Sequence, residues 1–456
     1  MFRSFRHYNF RFWWAGILVS NLGVWMQRTA QDWIVLTELT DHNATAVGLT
    51  TALQFAPQLI LSPLTGPAAD RVDRIRLLIV TQSTMLILAA GLAVTALLGH
   101  LDLLLMYVFS LGLGVATAFD IPARQSFVGE MVPRRDLTNA VSLNSAAFNS
   151  ARLIGPAIAG LAVAVVGPGW VFAINATTFL SMLFAIRALR RDELTVSPRS
   201  TGPGQFREGL RYIRGRPDII LVMIAMFLYG ALGMNVPIIT STMARIEFNE
   251  GAEVFGLLGS AVAVGSLTGA LLSARRERVR LSHFVLAGSG TALGAGAAAI
   301  MPTVWTFGAT LAVMGLGTMF LVSSANAYVQ TTTPANYRGR VLALYLALFM
   351  GATPIGSPIA GWVADTFGPR WTLVMTVVGA LIVVAIMGGW MIHLRRHGIP
   401  EPTGELAEDE PVVQEPGDER IGELMQESPT PERPTPAGPE DQASRVISTD
   451  TKRLES

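Results

Sequence analysis

Two ionisable residues of opposite charge lie one helical turn apart inside the first long apolar run of the chain. They are Arg28 and Asp32, accompanied by the amides Gln27 and Gln31, and residues spaced i, i+4 share one face of a helix. An ionisable group is costly to bury in an apolar span, so each is a candidate for function. Low dielectric disfavours a charged carboxylate and a nearby guanidinium favours it, so a movement between the two would let Asp32 carry a proton. A fixed ion pair is the alternative interpretation.

The composition is typical of a membrane protein. The chain has 456 residues, of which 51% are hydrophobic and 15% are charged, whereas about 25% of the residues in a soluble domain are charged. There is no cysteine, and the six histidines are scattered apart from His393 and His397 at the end of the last run, so we expect neither disulfides nor a metal site. No segment resembles a phosphate-binding loop. We therefore expect no cofactor, no nucleic-acid partner and no enzymatic activity.

Twelve apolar runs are long enough to cross a bilayer, whose core requires about 20 residues of helix. The runs lie near residues 12–37, 45–66, 75–98, 102–124, 138–166, 168–189, 217–243, 253–274, 281–300, 303–330, 340–366 and 370–394. Proline and glycine interrupt several of them, which a span tolerates where neighbouring helices satisfy the backbone. The sequence therefore predicts an all-α membrane protein with twelve transmembrane helices.

Arginine placement supports this count and predicts the orientation. Residues 1–399 contain 29 arginines and no lysine, and 25 of the arginines fall on one side if both termini share that side. Arg245 and Arg370 fall on the opposite side, while Arg28 and Arg152 lie within runs. Because positively charged loops stay in the cytoplasm, we expect a multi-pass protein of a bacterial inner membrane with both termini cytoplasmic.

The two halves of the chain repeat with an offset of 201 residues. The identical pairs are Pro133 and Pro334, Leu143 and Leu344, Gly155 and Gly356, Ile158 and Ile359, Gly160 and Gly361, and Trp170 and Trp371. A fixed offset over about forty residues indicates duplication of one unit. We therefore predict two pseudo-symmetric six-helix bundles, residues 1–189 and 217–397.

The remaining segments are polar. Residues 190–216 form an arginine-rich connector in which 206–213 has helical apolar spacing, so we expect this part to lie along the membrane surface. From residue 400 onward there are 15 acids against 5 bases. Such a segment cannot bury enough apolar surface to fold, so 398–456 is expected to be a disordered acidic cytoplasmic tail. Both a partner-binding role and an idle solvated tail fit this composition.

A short charged segment between the second and third runs carries a family resemblance. Residues 66–76 read G-x-x-x-D-R-x-x-R-x-R, which resembles the signature loop of the major facilitator superfamily. The segment departs from that loop at Asp73 and Ile75, where glycine and a basic residue are more usual, and 269–280 is similar to a degenerate second copy. Two parallel six-span bundles are the fold of that superfamily, so the resemblance implies this fold.

The resemblance also implies a gate at the cytoplasmic end. Its residues would be Gly66, Asp70, Arg71, Arg74, Asp120 and Arg124. Charged contacts among these residues would hold the bundles together while the carrier faces outward. The alternative is a set of loop charges that determines topology alone.

The fifth run carries a second motif. Gly155-Pro156-x-x-x-Gly160 is similar to the fifth-span motif of drug:proton antiporters of the superfamily, with one glycine where a pair is usual. Small residues let two helices approach closely, and proline bends a span. We therefore expect Gly155, Pro156, Gly160 and the repeat counterparts Gly356 and Gly361 to lie at helix contacts.

Polar residues inside the runs are candidates for a substrate pathway. Arg152 lies one turn before the proline bend and must face a partner or a wet cavity, where it could hold an anionic substrate group. The other candidates are Gln27, Gln31, Asn144, Asn149, Asn235 and Asn326. Hydrogen bonds between helices are the alternative role of the asparagines.

Further short motifs narrow the resemblance. D-x-P-x-R-Q at 120–125 and L-N-S at 143–145 are similar to the branch that contains the enterobactin exporter and macrolide efflux proteins. This implies a monomeric secondary active transporter that exports a drug, siderophore or metabolite by proton antiport, with rocker-switch alternating access in the lipid bilayer. Two alternatives stay open: a proton-independent facilitator or lipid transporter of the same fold, and a non-transporting scaffold that acts through its tail.

Overall fold

Helices account for nearly all of the chain that the structure describes. The computed structural model describes residues 3–62, 64–65, 72–194, 205–276 and 279–400. In these residues there are fourteen α-helices and no strand. They are α1 Tyr8–Ile34, α2 Ala44–Ile60, α3 Arg74–Leu97, α4 Leu103–Met131, α5 Arg134–Val166, α6 Pro168–Arg187, α7 Gln205–Arg214, α8 Pro217–Gly233, α9 Val236–Thr242, α10 Ala252–Ala274, α11 Leu281–Ile300, α12 Val304–Thr332, α13 Ala335–Phe367 and α14 Arg370–Arg396. The tail predicted to be disordered lies, from residue 401, outside the described residues.

Ten segments of the described chain are long and apolar enough to cross a membrane. They lie in α3 to α6, in α10 to α14, and in Pro217–Glu247, which joins α8 and α9 to a π-helical turn. Helix α1, with 27 residues, and helix α2, with 17 residues, are not among them. Both pack against helices that are among the ten, so α1 and α2 complete the first bundle.

The seventh predicted span is not one continuous helix. It breaks at Met234 and Asn235, where α8 ends and α9 begins. Pro237 follows in the first turn of α9, where its missing N–H is not needed for the helix. The Asn235 side chain instead donates to the Ala231 carbonyl oxygen, 2.8 Å away. The break therefore places a buried amide inside the second bundle.

The internal repeat is present in the helices themselves. Helices α4 and α12 both have 29 residues, and α5 and α13 both have 33 residues, with starts 201 positions apart. Gly167 and Gly368 follow α5 and α13 with φ values of 83° and 102°, a conformation that favours glycine. A proline follows each of these glycines. The repeated, pseudo-symmetric architecture predicted from the sequence is therefore present in the helices, while the bounds 1–189 and 217–397 of the bundles stay a prediction.

The bundles share an apolar core at one end and have separate cores at the other. Trp33 stacks on Phe255 of the other bundle, with ring centroids 5.6 Å apart, inside a cluster drawn from both bundles. Two further clusters, around Phe127 and around Tyr328, each belong to one bundle. We call the end with residues 35–48 and 243–260 the sealed end, and the opposite end the open end.

Two helix pairs form the seams between the bundles. A Cβ on Gly160 of α5 would meet the Ala252 carbonyl oxygen of α10, and a Cβ on Gly361 of α13 would meet the Ala44 carbonyl oxygen of α2. Only glycine permits these approaches. The other positions expected to pack helices lie against neighbours as follows: Gly155 against Trp25, Gly356 against Ala231, and Pro156 against Gly256.

Candidate functional site

Two arginine side chains lie over one aromatic ring, that of Trp25, in the middle of α1. The guanidinium carbon of Arg28 lies 5.3 Å from the Trp25 ring centroid and 4.7 Å from that of Phe55 on α2. The guanidinium carbon of Arg152, on α5, lies 5.9 Å from the Trp25 ring. A cation over an aromatic face is stabilised by the ring quadrupole. Both arginines therefore lie against the Trp25 ring at mid-helix, and neither has a carboxylate at ion-pair distance among the described residues.

Asp32 lies one turn nearer the sealed end than Arg28. It is buried, with 5% of its surface exposed. Its carboxylate forms no ion pair with Arg28 in the described part of the chain, although the two share a helix face. Trp33, the next residue, stacks across the bundle interface. Asp32 is therefore a buried acid that directly precedes the contact between the bundles.

A network of amides lines part of a small cavity inside the first bundle. Gln54 donates to the Gln31 side-chain oxygen at 3.2 Å, and Gln31 donates to the Ser110 hydroxyl at 3.3 Å. Asn175 donates to the Gln27 side-chain oxygen at 2.5 Å. The four amides line a cavity of about 30 Å³ that Arg28 also lines. The sequence pointed to Gln27 and Gln31, but it did not pair them with Gln54 and Asn175.

The four predicted asparagines do not converge. Asn144 is half-buried and its side-chain oxygen has no partner among the described residues, whereas Asn149 is exposed and donates to the Ser145 carbonyl oxygen of its own helix. Asn235 is buried at the break between α8 and α9. Asn326 accepts from Gln330, one turn further along α12. The structure brings Gln27, Gln31, Arg28 and Arg152 together, and it leaves the asparagines apart.

Of the predicted gate, only Arg74, Asp120 and Arg124 fall within the described residues; Gly66, Asp70 and Arg71 lie outside them. Asp120 is buried, pairs with Arg124 one turn later, and accepts from Thr81 at 2.8 Å and Gln82 at 2.7 Å. Arg74 pairs with Glu130 of α4. All these described contacts lie within the first bundle. The inter-bundle gate itself stays a prediction.

Two charged clusters at the open end were not predicted. Arg216, before α8, forms a bidentate pair with Asp218 at 2.9 and 2.7 Å, and Asp218 also accepts from Tyr328 at 3.0 Å. The hydrogen bond to Asp218 raises the pKa of Arg216 above its ordinary value. Arg276, after α10, lies 3.4 Å above the Phe320 ring, and burial lowers the pKa of its guanidinium. The sequence feature that could have pointed to the first of these clusters is Asp218, an acid within a predicted apolar run.

Comparison with known proteins supports the family assignment. The profile of the transmembrane secretion effector family matches residues 1–425. The chain is 26% identical to the staphyloferrin A transporter of Staphylococcus aureus over 76% of this chain and 87% of that protein. It is also 26% identical to the enterobactin exporter EntS of Salmonella choleraesuis (81% and 89%) and to the multidrug efflux pump Tap of Mycolicibacterium fortuitum (81% and 93%).

Solved structures show the same fold at low sequence identity. A bacterial homologue of the human lysosomal transporter Spinster, inward-facing and unoccupied, superposes with a TM-score of 0.66 at 13% identity, covering 83% of this chain and 96% of that one. An inward-facing bacterial homologue of the iron transporter ferroportin gives 0.64 at 14% identity, covering 83% and 98%. The predicted fold is confirmed, and the chain belongs to the transmembrane secretion effector family of the major facilitator superfamily.

Proposed function

We propose that this protein is a secondary active exporter that moves a small, negatively charged molecule of siderophore or drug type out of the cell in exchange for protons. The observation that carries the proposal is the mid-helix site on α1, where Arg28 and Arg152 share Trp25 and Asp32 lies one turn away. The named exporters among its relatives support the direction of transport.

The charges of the site favour an anionic cargo. Arg28 and Arg152 rest on aromatic faces and have no carboxylate at ion-pair distance in the described chain. Inside a membrane protein such cations face a cavity or a partner, because lipid cannot solvate them. An anionic group of a cargo entering from the open end would supply that partner. The Trp25 and Phe55 rings would contact its flat or apolar parts.

Asp32 would couple the cargo to protons. Exchange requires that the carrier cross the membrane with either the cargo or a proton, and not with both. The anionic cargo would occupy Arg28 and Arg152 while the sealed end opens. After the cargo leaves on the outside, Asp32 would take up a proton, and because this neutralises a buried charge, it would allow the empty carrier to return and release the proton to the cytoplasm. Because Asp32 directly precedes Trp33, a change in its charge acts next to the contact that closes the sealed end.

The two bundles would rock about this site. The arginine-rich open end would face the cytoplasm, as the positive-inside rule requires, and the sealed end would face the outside. Glycine contacts at the two seams permit close approach without interlocking side chains, so the bundles can separate there with little rearrangement. The conformation described would then be the one that loads cargo from the cytoplasm.

Asp32→Asn tests proton coupling directly. In proteoliposomes with an imposed pH gradient, the native protein should transport an anionic fluorescent cargo faster than without the gradient, and Asp32→Asn should remove that stimulation. The matched control is Glu38→Gln, which neutralises an exposed acid in the π-helical turn that follows α1. It should retain the response, and both variants should elute as folded monomers.

Other outcomes of these experiments would favour one of the two alternative functions, a facilitator or a scaffold. Gradient-independent transport in both the native protein and Asp32→Asn would contradict antiport and favour a facilitator. A protein truncated after residue 400 that loses function, while Asp32→Asn retains it, would favour a scaffold that acts through its tail. Equal transport of cationic and anionic cargoes would contradict the charge selectivity assigned to Arg28 and Arg152.

A further inference from the structure

Helix α2 begins with an unusual cap, because part of it comes from the other bundle. The Asp365 carboxylate, on α13, accepts from the Ala44 N–H at 2.7 Å, from the Thr45 N–H at 2.8 Å and from the Thr45 hydroxyl at 2.6 Å. Asn43, the ordinary cap residue, accepts from the next free donor, the Ala46 N–H, at 2.9 Å. The first N–H groups of a helix have no partner within it. Those of α2 are thus divided between a local cap and a distant acid.

The Asp365 contact depends on the conformation of the protein. Ala44 lies at the sealed end, where the α13 backbone at Gly361 approaches it so closely that no Cβ fits. If α2 and α13 part there, the carboxylate and the two N–H groups separate together. Asp365 is exposed and Thr45 is half-buried, so water can solvate the released groups, and the bonds can form and break reversibly. They stabilise only the state in which the sealed end is closed.

The carboxylate is also favourably placed for its charge. An anion at the start of a helix interacts with the partial positive charge of the free N–H groups. A second polar contact crosses the same end: the Arg245 Nε donates to the His42 Nε2 at 3.3 Å. His42 immediately precedes the cap residue Asn43. These two polar contacts, of Asp365 and of Arg245, thus meet at the loop that leads into α2.

We infer that Asp365 is the latch of the sealed end: a positioning residue of the transport cycle, which holds α2 to α13 in the closed state and releases it when the bundles rock. This role goes beyond the proposed transport function, since it concerns the balance of two conformations and needs no particular cargo or proton. The latch consists of Asp365, Ala44 and Thr45.

Spin-label distances across the two ends test the latch. The chain has no cysteine, so introduced cysteines are the only labelling sites. One pair, His100→Cys with Pro302→Cys, lies on exposed loops of the two bundles, and the other, Arg187→Cys with Arg395→Cys, lies at the open end. Asp365→Ala should lengthen the first distance and shorten the second, with the ratio of open to closed sealed ends rising roughly fivefold, the effect of a typical cap.

Two further variants make the result interpretable. Asp365→Asn keeps the shape and one acceptor oxygen, so it should give a smaller shift in the same direction if Asp365→Ala folds poorly. The matched control is Glu247→Ala, which removes an acid that pairs at 2.8 Å with Arg370 inside one bundle. Unchanged distances in both Asp365 variants would overturn the inference. So would an equal shift in Glu247→Ala, because the effect would then come from lost charge alone.

Discussion

The two seams between the bundles are related by the internal repeat, yet they are held differently. At the first seam, Gly361 of α13 lies against the Ala44 carbonyl oxygen; at the second, Gly160 of α5 lies against the Ala252 carbonyl oxygen. Gly160 and Gly361 correspond through the offset of 201 residues, and each meets the first residue of a helix, Ala252 of α10 and Ala44 of α2. The counterpart of Asp365, however, is Ala164, so only the first seam has a carboxylate at the end of the neighbouring helix.

The difference separates two roles that one helix contact can have. Close packing of glycine on backbone is common to both seams, and it sets how near the bundles can come. The hydrogen bonds of Asp365 occur at one seam only, and they add a preference for the closed state. The second seam has a single inter-bundle bond of side chain to backbone among its described contacts, from Ser260 to the Leu153 carbonyl oxygen at 3.2 Å. Packing therefore follows the repeat, whereas the polar latch does not.

The largest effect is expected from filling the glycine contacts. Gly160→Leu and Gly361→Leu should each disfavour closure of the sealed end by about 2 kcal/mol, roughly thirtyfold, because the added side chain would meet helix backbone. Since the two positions correspond, the two variants should shift the spin-label distance at the sealed end by similar amounts. Transport should fall in both.

Gly290→Leu is the control for the glycine substitutions. A Cβ at Gly290 meets no atom within 4 Å, so this variant adds the same side chain without a clash and should behave like the native protein. A large effect of Gly361→Leu with none of Gly160→Leu would show that the two seams are not equivalent in packing. It would contradict the conclusion that close glycine packing is common to both.

A latch transplanted to the second seam should have an intermediate effect. Ala164→Asp would place a carboxylate near the first turn of α10, where Glu253 already supplies one. In the native background like charges should cancel most of the gain, whereas in a Glu253→Ala background the new acid should favour closure by about 1 kcal/mol. The open-to-closed ratio from spin-label distances measures this.

The transplanted latch also has a rescue test. Added to Asp365→Ala, the pair Ala164→Asp and Glu253→Ala should restore much of the closed population. Glu253→Ala alone is the control and should not restore it. No restoration, with all variants folded, would mean that the position of the acid on α13 matters beyond its contact with a helix start.

Much of the architecture could be predicted from the sequence because it depends on local properties. Apolar run length predicted the spans, and the offset of 201 residues predicted the bundles. The break at Met234 and Asn235 could not be located in this way. Pro237 signalled an interruption, but the residues that leave the helix depend on how α8 packs against its neighbours.

The candidate site was predicted as residue types and not as contacts. Arg28, Asp32 and Arg152 stood out because charge is rare in apolar runs. That Arg28 and Arg152 share Trp25 required the placement of α5 beside α1, which no local pattern encodes. Asp365 was missed for a similar reason: an acid at the end of a span looks like a loop charge until the start of α2 is seen beside it.

The smallest predicted effect is also the most specific test of the latch. Thr45→Val removes one of the three bonds to Asp365, the hydroxyl bond of 2.6 Å, and keeps the shape of the side chain and both backbone donors. It should weaken closure by about 0.5 kcal/mol, roughly twofold, whereas Thr45→Ser should leave it unchanged. In an Asp365→Ala background the Thr45→Val effect should vanish, because residues that act through one bond are not additive. An equal effect in both backgrounds would mean that Thr45 acts through packing and not through the carboxylate.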